Sequence, residues 1–107
     1  YHNAQAAINF LILKQDGEAI AALYHKEIGD IDLPWGEAGS NRSDGFGLAK
    51  LIKWHPEVVG KLQEILNDMK TTRRTKNKID LSSKRYKSII KLVYDNEDKN
   101  WLLTAYK

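Results

Sequence analysis

The sequence predicts an α+β domain: an N-terminal helix and β-hairpin, two central helices, and a C-terminal antiparallel β-meander. Three observations carry this. Apolar residues recur at helical spacing near the N-terminus (Ala7, Ile8, Leu11, Ile12) and again between Leu48 and Met69. Residues 28–33 and the C-terminal third instead alternate apolar and polar side chains, the pattern of half-buried strands. At 107 residues the chain is long enough for one core and is expected to be a single domain over 1–107. It begins without a Met, which is expected of a domain excised from a longer polypeptide.

Taken in order, Asn3 to Lys14 is expected to be a helix stopped by Asp16-Gly17 and covering a sheet. Glu18–His25 and Ile28–Trp35 flank the polar Lys26-Glu27 and read as a hairpin, although AIAALY has helical propensity. Gly36–Gly47 (GEAGSNRSDGFG) is a loop by composition. Leu48, Leu51, Ile52 and His55 share one helical face, and Pro56 ends or kinks that helix. Val58, Leu62, Ile65, Leu66 and Met69 mark a second helix. Strands are then expected at 74–81, 85–94 and 101–107, with turns at Ser82-Ser83-Lys84 and over 95–100. Alternation places Arg74, Lys76 and Lys78 on one strand face. It places Arg85, Lys87 and Lys91 on another, opposite Tyr86, Ile90, Leu92 and Tyr94.

Charge is unevenly distributed. Residues 1–45 hold three Lys/Arg and seven Asp/Glu (3 − 7 = −4), whereas residues 46–107 hold fourteen and seven (14 − 7 = +7). Within Lys70–Lys91 nine basic side chains face a single acid, Asp80. A concentrated basic surface points to a polyanion, nucleic acid first; a solvated hairpin protected from edge-to-edge aggregation is the alternative. The absence of cysteine excludes a disulfide framework and a thiolate metal site, and fits a reducing, cytoplasmic site of action. No apolar run reaches the length of a membrane helix. Residues 4–13 also lack the basic start and cleavage site of a signal peptide. No metal or cofactor is expected. Asp30-x-Asp32 has no evident third ligand, and Gly45-x-Gly47 lacks a phosphate-loop or dinucleotide fingerprint.

GDIDLPWGE at 29–37, GFGLAKLIKWHPEV at 45–58, the basic strand and NWLLTAY at 100–106 occur in that order. This arrangement resembles the barnase-like endoribonucleases of phage and mobile-element polyproteins, within the barnase/EndoU/colicin/RelE-like (BECR) superfamily. The resemblance runs from Glu18 to Tyr106. It implies a helix-plus-antiparallel-sheet fold and metal-independent RNA cleavage, often by a toxin or effector domain. Superfamily active sites vary in residue identity, so the fold transfers more directly than the chemistry.

Such cleavage uses the ribose 2′-hydroxyl as nucleophile. It needs a base, an acid for the leaving 5′-oxygen, and donors or cations for the charged phosphorane. Products are a 2′,3′-cyclic phosphate and a 5′-hydroxyl. His55 is the first catalytic candidate, because histidine as a residue type suits acid and base roles near neutral pH and because it matches the histidine of the helix motif; a core-edge histidine is the alternative. Lys50 lies about 140° around an ideal helix from His55. The resemblance places a histidine there in many members, so Lys50 suits phosphate contact better than base chemistry; an exposed, solvated lysine is the alternative. His25 beside the hairpin turn is a further acid/base candidate, against a surface histidine; His2 near the terminus is set aside. Thr104 and Tyr106 project to one face of the last strand. The resemblance to the EndoU branch gives the hydroxyl a phosphate contact and the ring a base-stacking role; ordinary strand propensity of Thr and Tyr is the alternative. Arg73, Arg74 and Arg85 are phosphate ligands by guanidinium geometry. Trp35 and Trp54 are base platforms or core residues. The expected partner is RNA, with an acidic immunity or antitoxin protein over the basic cleft. A non-catalytic nucleic-acid-binding module and a phage structural or interaction domain on the same fold remain the alternatives.

Overall fold

The computed structural model describes residues 3–41 and 44–107; His2 lies outside them. Helix α1 (Ala4–Lys14) starts where the Asn3 side chain accepts a hydrogen bond from the Ala6 amide at 3.0 Å. It ends at Gln15, which turns left-handed at φ 55. Its buried stripe, Ala7, Ile8 and Leu11, lies against β1 (Glu18–His25). That strand pairs antiparallel with β2 (Gly29–Pro34), so the expected hairpin is present despite the helical propensity of AIAALY. A register shift between Ala19 and Leu23 admits Ala21 at φ 54, whose amide donates to Asp32 Oδ1 at 2.8 Å.

The central region departs from the expected two helices. It forms α2 (Gly47–Trp54), α3 (Pro56–Val59) and α4 (Leu62–Asn67). His55 therefore sits at a junction, with φ −139 and ψ 53, and not on the face of α2. The cause is Pro56, whose ring excludes the helical region for the residue before it. The second break falls at Gly60-Lys61, where Lys61 takes φ −143.

The C-terminal third also departs in detail. The expected strand 74–81 is two strands, β3 (Lys70–Arg74) and β4 (Lys78–Ser82). Between them Thr75 Oγ1 accepts from the Asn77 and Lys78 amides at 3.4 and 3.2 Å, and a hydroxyl-closed turn wins over continued extension. Lys76 falls in that turn, so Arg74, Lys76 and Lys78 do not share one strand face. β5 (Lys87–Tyr94) and β6 (Glu97–Tyr106) are joined by Asp95-Asn96 alone, both at positive φ (52 and 67). That is the geometry of a two-residue hairpin turn, so the expected six-residue loop is absent and Arg85 precedes β5.

The six strands form one sheet in the order β1-β2-β6-β5-β4-β3. The β2–β6 junction is parallel and rests on a single pair, Asp32 with Trp101, so the sheet is mixed. The helices cover one face. Leu23, Ile31, Leu33, Ile79, Leu81, Ile90 and Leu102 meet Leu48, Leu51, Leu62 and Leu66 there, all buried. The α+β class holds; strand number and sheet type are what the structure adds.

Candidate active site

Residues paired across neighbouring strands share a face. Asp80 of β4 lies opposite Ile89 of β5, and Ile89 lies opposite Thr104 of β6. One step along, Ser82, Lys87 and Tyr106 form a second row; one step the other way, Lys78, Lys91 and Trp101 form a third. At the edge Arg73 pairs with Asp80. All these positions alternate with the buried Ile79, Leu81, Ser88 and Ile90, so they occupy the face turned away from the helices. A groove of about 380 Å³ opens there, lined by Thr72, Lys78, Asp80, Lys87, Ile89 and Tyr106 among others.

Two polar atoms of the middle row are buried without a hydrogen-bond partner among the described residues: Asp80 Oδ1 and Thr104 Oγ1. Buried polar atoms are nearly always paired, because leaving one unpaired costs roughly 1–3 kcal/mol. Ser88, on the other face, is the ordinary case, since its hydroxyl donates to the Thr104 carbonyl at 2.9 Å. The two unpaired atoms flank Ile89, with lysines in the rows on either side; Asp80 and Ile89 line the groove, and Thr104 lies one strand further along the same row.

His55 approaches the end of this groove. Its ring centroid lies 5.8 Å from that of Tyr106, and its Nδ1 is 4.0 Å from Glu57 Oε1. His55 and Tyr106 are thus brought together, and Thr104 lies two residues before Tyr106 on the same face of β6. The break before Pro56, not a helical face, is what aims the imidazole.

The other anticipated residues go elsewhere. His25 is buried, with Nε2 2.9 Å from the Met69 carbonyl and Nδ1 accepting from the Glu27 amide at 3.1 Å. Both ring nitrogens are therefore engaged in tying the hairpin turn to the end of α4, far from acid–base duty. Lys50 is 6% exposed on α2; burial pushes its ammonium below the ordinary lysine pKa, with nearby Asp44 partly opposing. The Asp44 carboxyl lies below its usual value, chiefly because the Ser40 hydroxyl and amide donate to it. Arg74 pairs with Ile79 and so shares the opposite strand parity from Arg73. Arg85 lines a separate basic cleft with Lys70, Lys84 and Tyr86, which meets the groove at Ser82. Trp54 donates to the Ala38 carbonyl at 2.9 Å, pinning the loop. Trp35 belongs to an aromatic cavity with Phe46, Tyr94 and Trp101. Asp32 is occupied by Lys99 at 2.6 Å and by the Ala21 amide.

Asp80 was not a sequence candidate. Its signal was available, as the only acid among nine cations, but its alignment with Thr104 depends on strand register.

Comparison with known proteins bears on the family and the fold. A family model described as phage-Barnase-EndoU-ColicinE5/D-RelE like nuclease1 matches residues 22–107. No curated protein and no solved structure matches the chain.

Proposed function

Because the chain belongs to that family of nuclease-like proteins, we propose that it is an endoribonuclease whose own side chains cleave RNA by attack of the 2′-hydroxyl. The observation that carries this is the pair of unpartnered atoms, Asp80 Oδ1 and Thr104 Oγ1, on either side of Ile89 in one row of the sheet face where the groove opens, with Lys78 and Lys87 in its walls.

The scissile phosphate rests over Ile89. The Thr104 hydroxyl donates to one of its oxygens, while Lys87 and Lys78 stabilise the charge that grows on the phosphorane. The Asp80 carboxylate takes the proton of the 2′-hydroxyl as the 2′-oxygen–phosphorus bond forms. His55, at the Tyr106 end, gives its proton to the 5′-oxygen as the phosphorus–5′-oxygen bond breaks. Atoms and charge balance without water, leaving a 2′,3′-cyclic phosphate and a 5′-hydroxyl. Tyr106 offers its ring to a neighbouring base. Arg73 at the sheet edge and Arg85 beyond Ser82 suit flanking phosphates, whereas the buried Lys50 is left out of the site.

Incubation of labelled RNA with the protein in EDTA, followed by end-group analysis, tests this. Cyclic-phosphate ends are expected from the wild type, with losses of about 100-fold or more in His55→Ala and Asp80→Asn. Salt-sensitive RNA binding with no product, or equal cleavage by these variants, overturns the assignment. The same reading makes the domain a toxin or effector acting in the cytoplasm. It also makes an acidic immunity protein the complement to the basic face. Growth arrest on expression, lost in Asp80→Asn, is the corresponding cellular result.

A further inference from the structure

At the other end of the sheet the chemistry reverses. Four aromatic rings, Trp35, Phe46, Tyr94 and Trp101, line a cavity of about 380 Å³. Trp101 meets Phe46 edge-on at 5.5 Å and Tyr94 edge-on at 5.9 Å. Three walls are fixed by the backbone. The Trp35 amide donates to the Gly17 carbonyl at 2.8 Å, and the Trp101 indole to the Val93 carbonyl at 3.2 Å. Gly36, at φ +72, lets the chain approach Phe46 so closely that a Cβ would lie 2.2 Å from the Phe46 carbonyl oxygen. Tyr94, 56% exposed, forms the outer wall.

The rim is acidic. Asp16, Glu18 and Glu37 line the cavity itself, and Asp95, Glu97 and Asp98 line a cleft that adjoins it through Glu18, Tyr94 and Lys99. Lys99 is the one cation among the lining residues, and it is already paired with Glu18 at 3.0 Å and Asp32 at 2.6 Å. A phosphate-bearing strand would meet uncompensated carboxylates here. Aromatic faces and carboxylates attract the same guest, a cation with an apolar stem.

We propose that this cavity receives an arginine or lysine side chain from a basic polypeptide partner. The rings take the charged head by cation–π contact and cover the methylene stem, and the rim carboxylates steer the approach. The docking surface lies at the β1–β2–β6 end, away from the Asp80–Thr104 groove, and it holds whether or not the chain cuts RNA. It gives the molecule one face for a polyanion and one for a polycation.

The test uses the full chain and acetylated, amidated tetra-arginine and tetra-lysine peptides. Tetra-glutamate and guanosine 5′-monophosphate serve as competitors, with indole fluorescence and calorimetry as readouts. Saturable binding of a cationic peptide is expected, weakened about tenfold by Tyr94→Ala and by Glu37→Gln, both at exposed positions. Glu64→Gln, an exposed acid on α4 outside the cavity, should bind like the wild type. RNA cleavage should be the same in Tyr94→Ala as in the wild type. The proposal is overturned if no cationic peptide saturates, or if Tyr94→Ala and Glu37→Gln bind as tightly as Glu64→Gln. Tighter binding of the nucleotide than the peptides, lost in Tyr94→Ala, overturns it in favour of a base pocket.

Discussion

Replacing Thr104 by valine should make the protein more stable and less active. Valine keeps the β-branched shape and exchanges the hydroxyl for a methyl. At a satisfied site this removes a hydrogen bond and costs about 1 kcal/mol. Thr104 is 4% exposed, and its hydroxyl has no partner among the described residues, so the folded chain carries an unpaired polar atom. Relieving that penalty recovers about 1–3 kcal/mol on protein scales. A gain near the lower limit corresponds to a rise in Tm of roughly 4–8 °C for a domain of this size. Ser88→Ala is the internal control, because its hydroxyl does have a partner, the Thr104 carbonyl at 2.9 Å. It should lower stability by about 1 kcal/mol. Circular dichroism melts of the three proteins, run beside the RNA cleavage assay, give both readouts. A Tm for Thr104→Val at or below the wild type would mean the hydroxyl is satisfied within the fold. Unchanged cleavage would remove Thr104 from the phosphate site.

Three further outcomes are expected. His25→Leu should lower the urea midpoint by an amount equivalent to about 1–3 kcal/mol, since it strands the Met69 carbonyl and Glu27 amide, while RNA cleavage per folded molecule stays unchanged. Lys50→Met should melt higher than the wild type at pH 7. The lowered lysine pKa means the folded state disfavours the charge, a cost fully present below the folded pKa and relieved as pH rises towards the ordinary value of 10.5. The Tm gap should therefore narrow in alkali, and a constant gap would refute the charge-burial cause. Lys99→Met should show the opposite sign. Burial pulls Lys99 down, but the hydrogen bonds its ammonium donates to the Asp32 and Glu18 carboxylates outweigh it and raise the pKa, so its stabilisation is fully present below 10.5 and lost as pH rises through the folded value. Melts from pH 7 to 11 should show wild type above Lys99→Met, converging at the alkaline end.

What the sequence discloses follows the range of the forces involved. Helix α1 and the β1–β2 hairpin are local features, set by apolar period and by polar residues between runs, and both were legible. So was the partnership of Thr104 and Tyr106, because alternation along a single strand fixes which residues share a face. The division of 74–81 into a turn and parts of two strands was not. It depends on one hydroxyl, Thr75, closing a turn within a segment that otherwise alternates acceptably. His25 misled for a related reason, since its partner Met69 lies 44 residues away and burial is decided by that contact. Asp80 was visible as an oddity of charge but not as a site residue, because its row with Ile89 and Thr104 exists only once three strands are in register.

The polarity of charge has a structural counterpart at the β2–β6 seam. A single parallel pair, Asp32 with Trp101, joins the β1–β2 hairpin to the rest of the sheet. Asp16, Glu18 and Glu37 of the first half line the aromatic cavity, while Lys78 and Lys87 of the second half line the groove. Lys99 stands at the seam and holds Asp32 and Glu18 across it, so one of the C-terminal cations is spent as a clasp between the two ends. Trp101 belongs to both ends, as a wall of the cavity and as the partner of Lys91 in the third row of the basic face. A ligand that moves Trp101 from the acidic side therefore reaches the row beside Asp80, Ile89 and Thr104 through one pair of strands. If the two sites communicate, that contact is the shortest route. RNA cleavage measured with and without saturating tetra-arginine decides it: a change in rate lost in Tyr94→Ala supports coupling, and an unchanged rate makes the two faces independent.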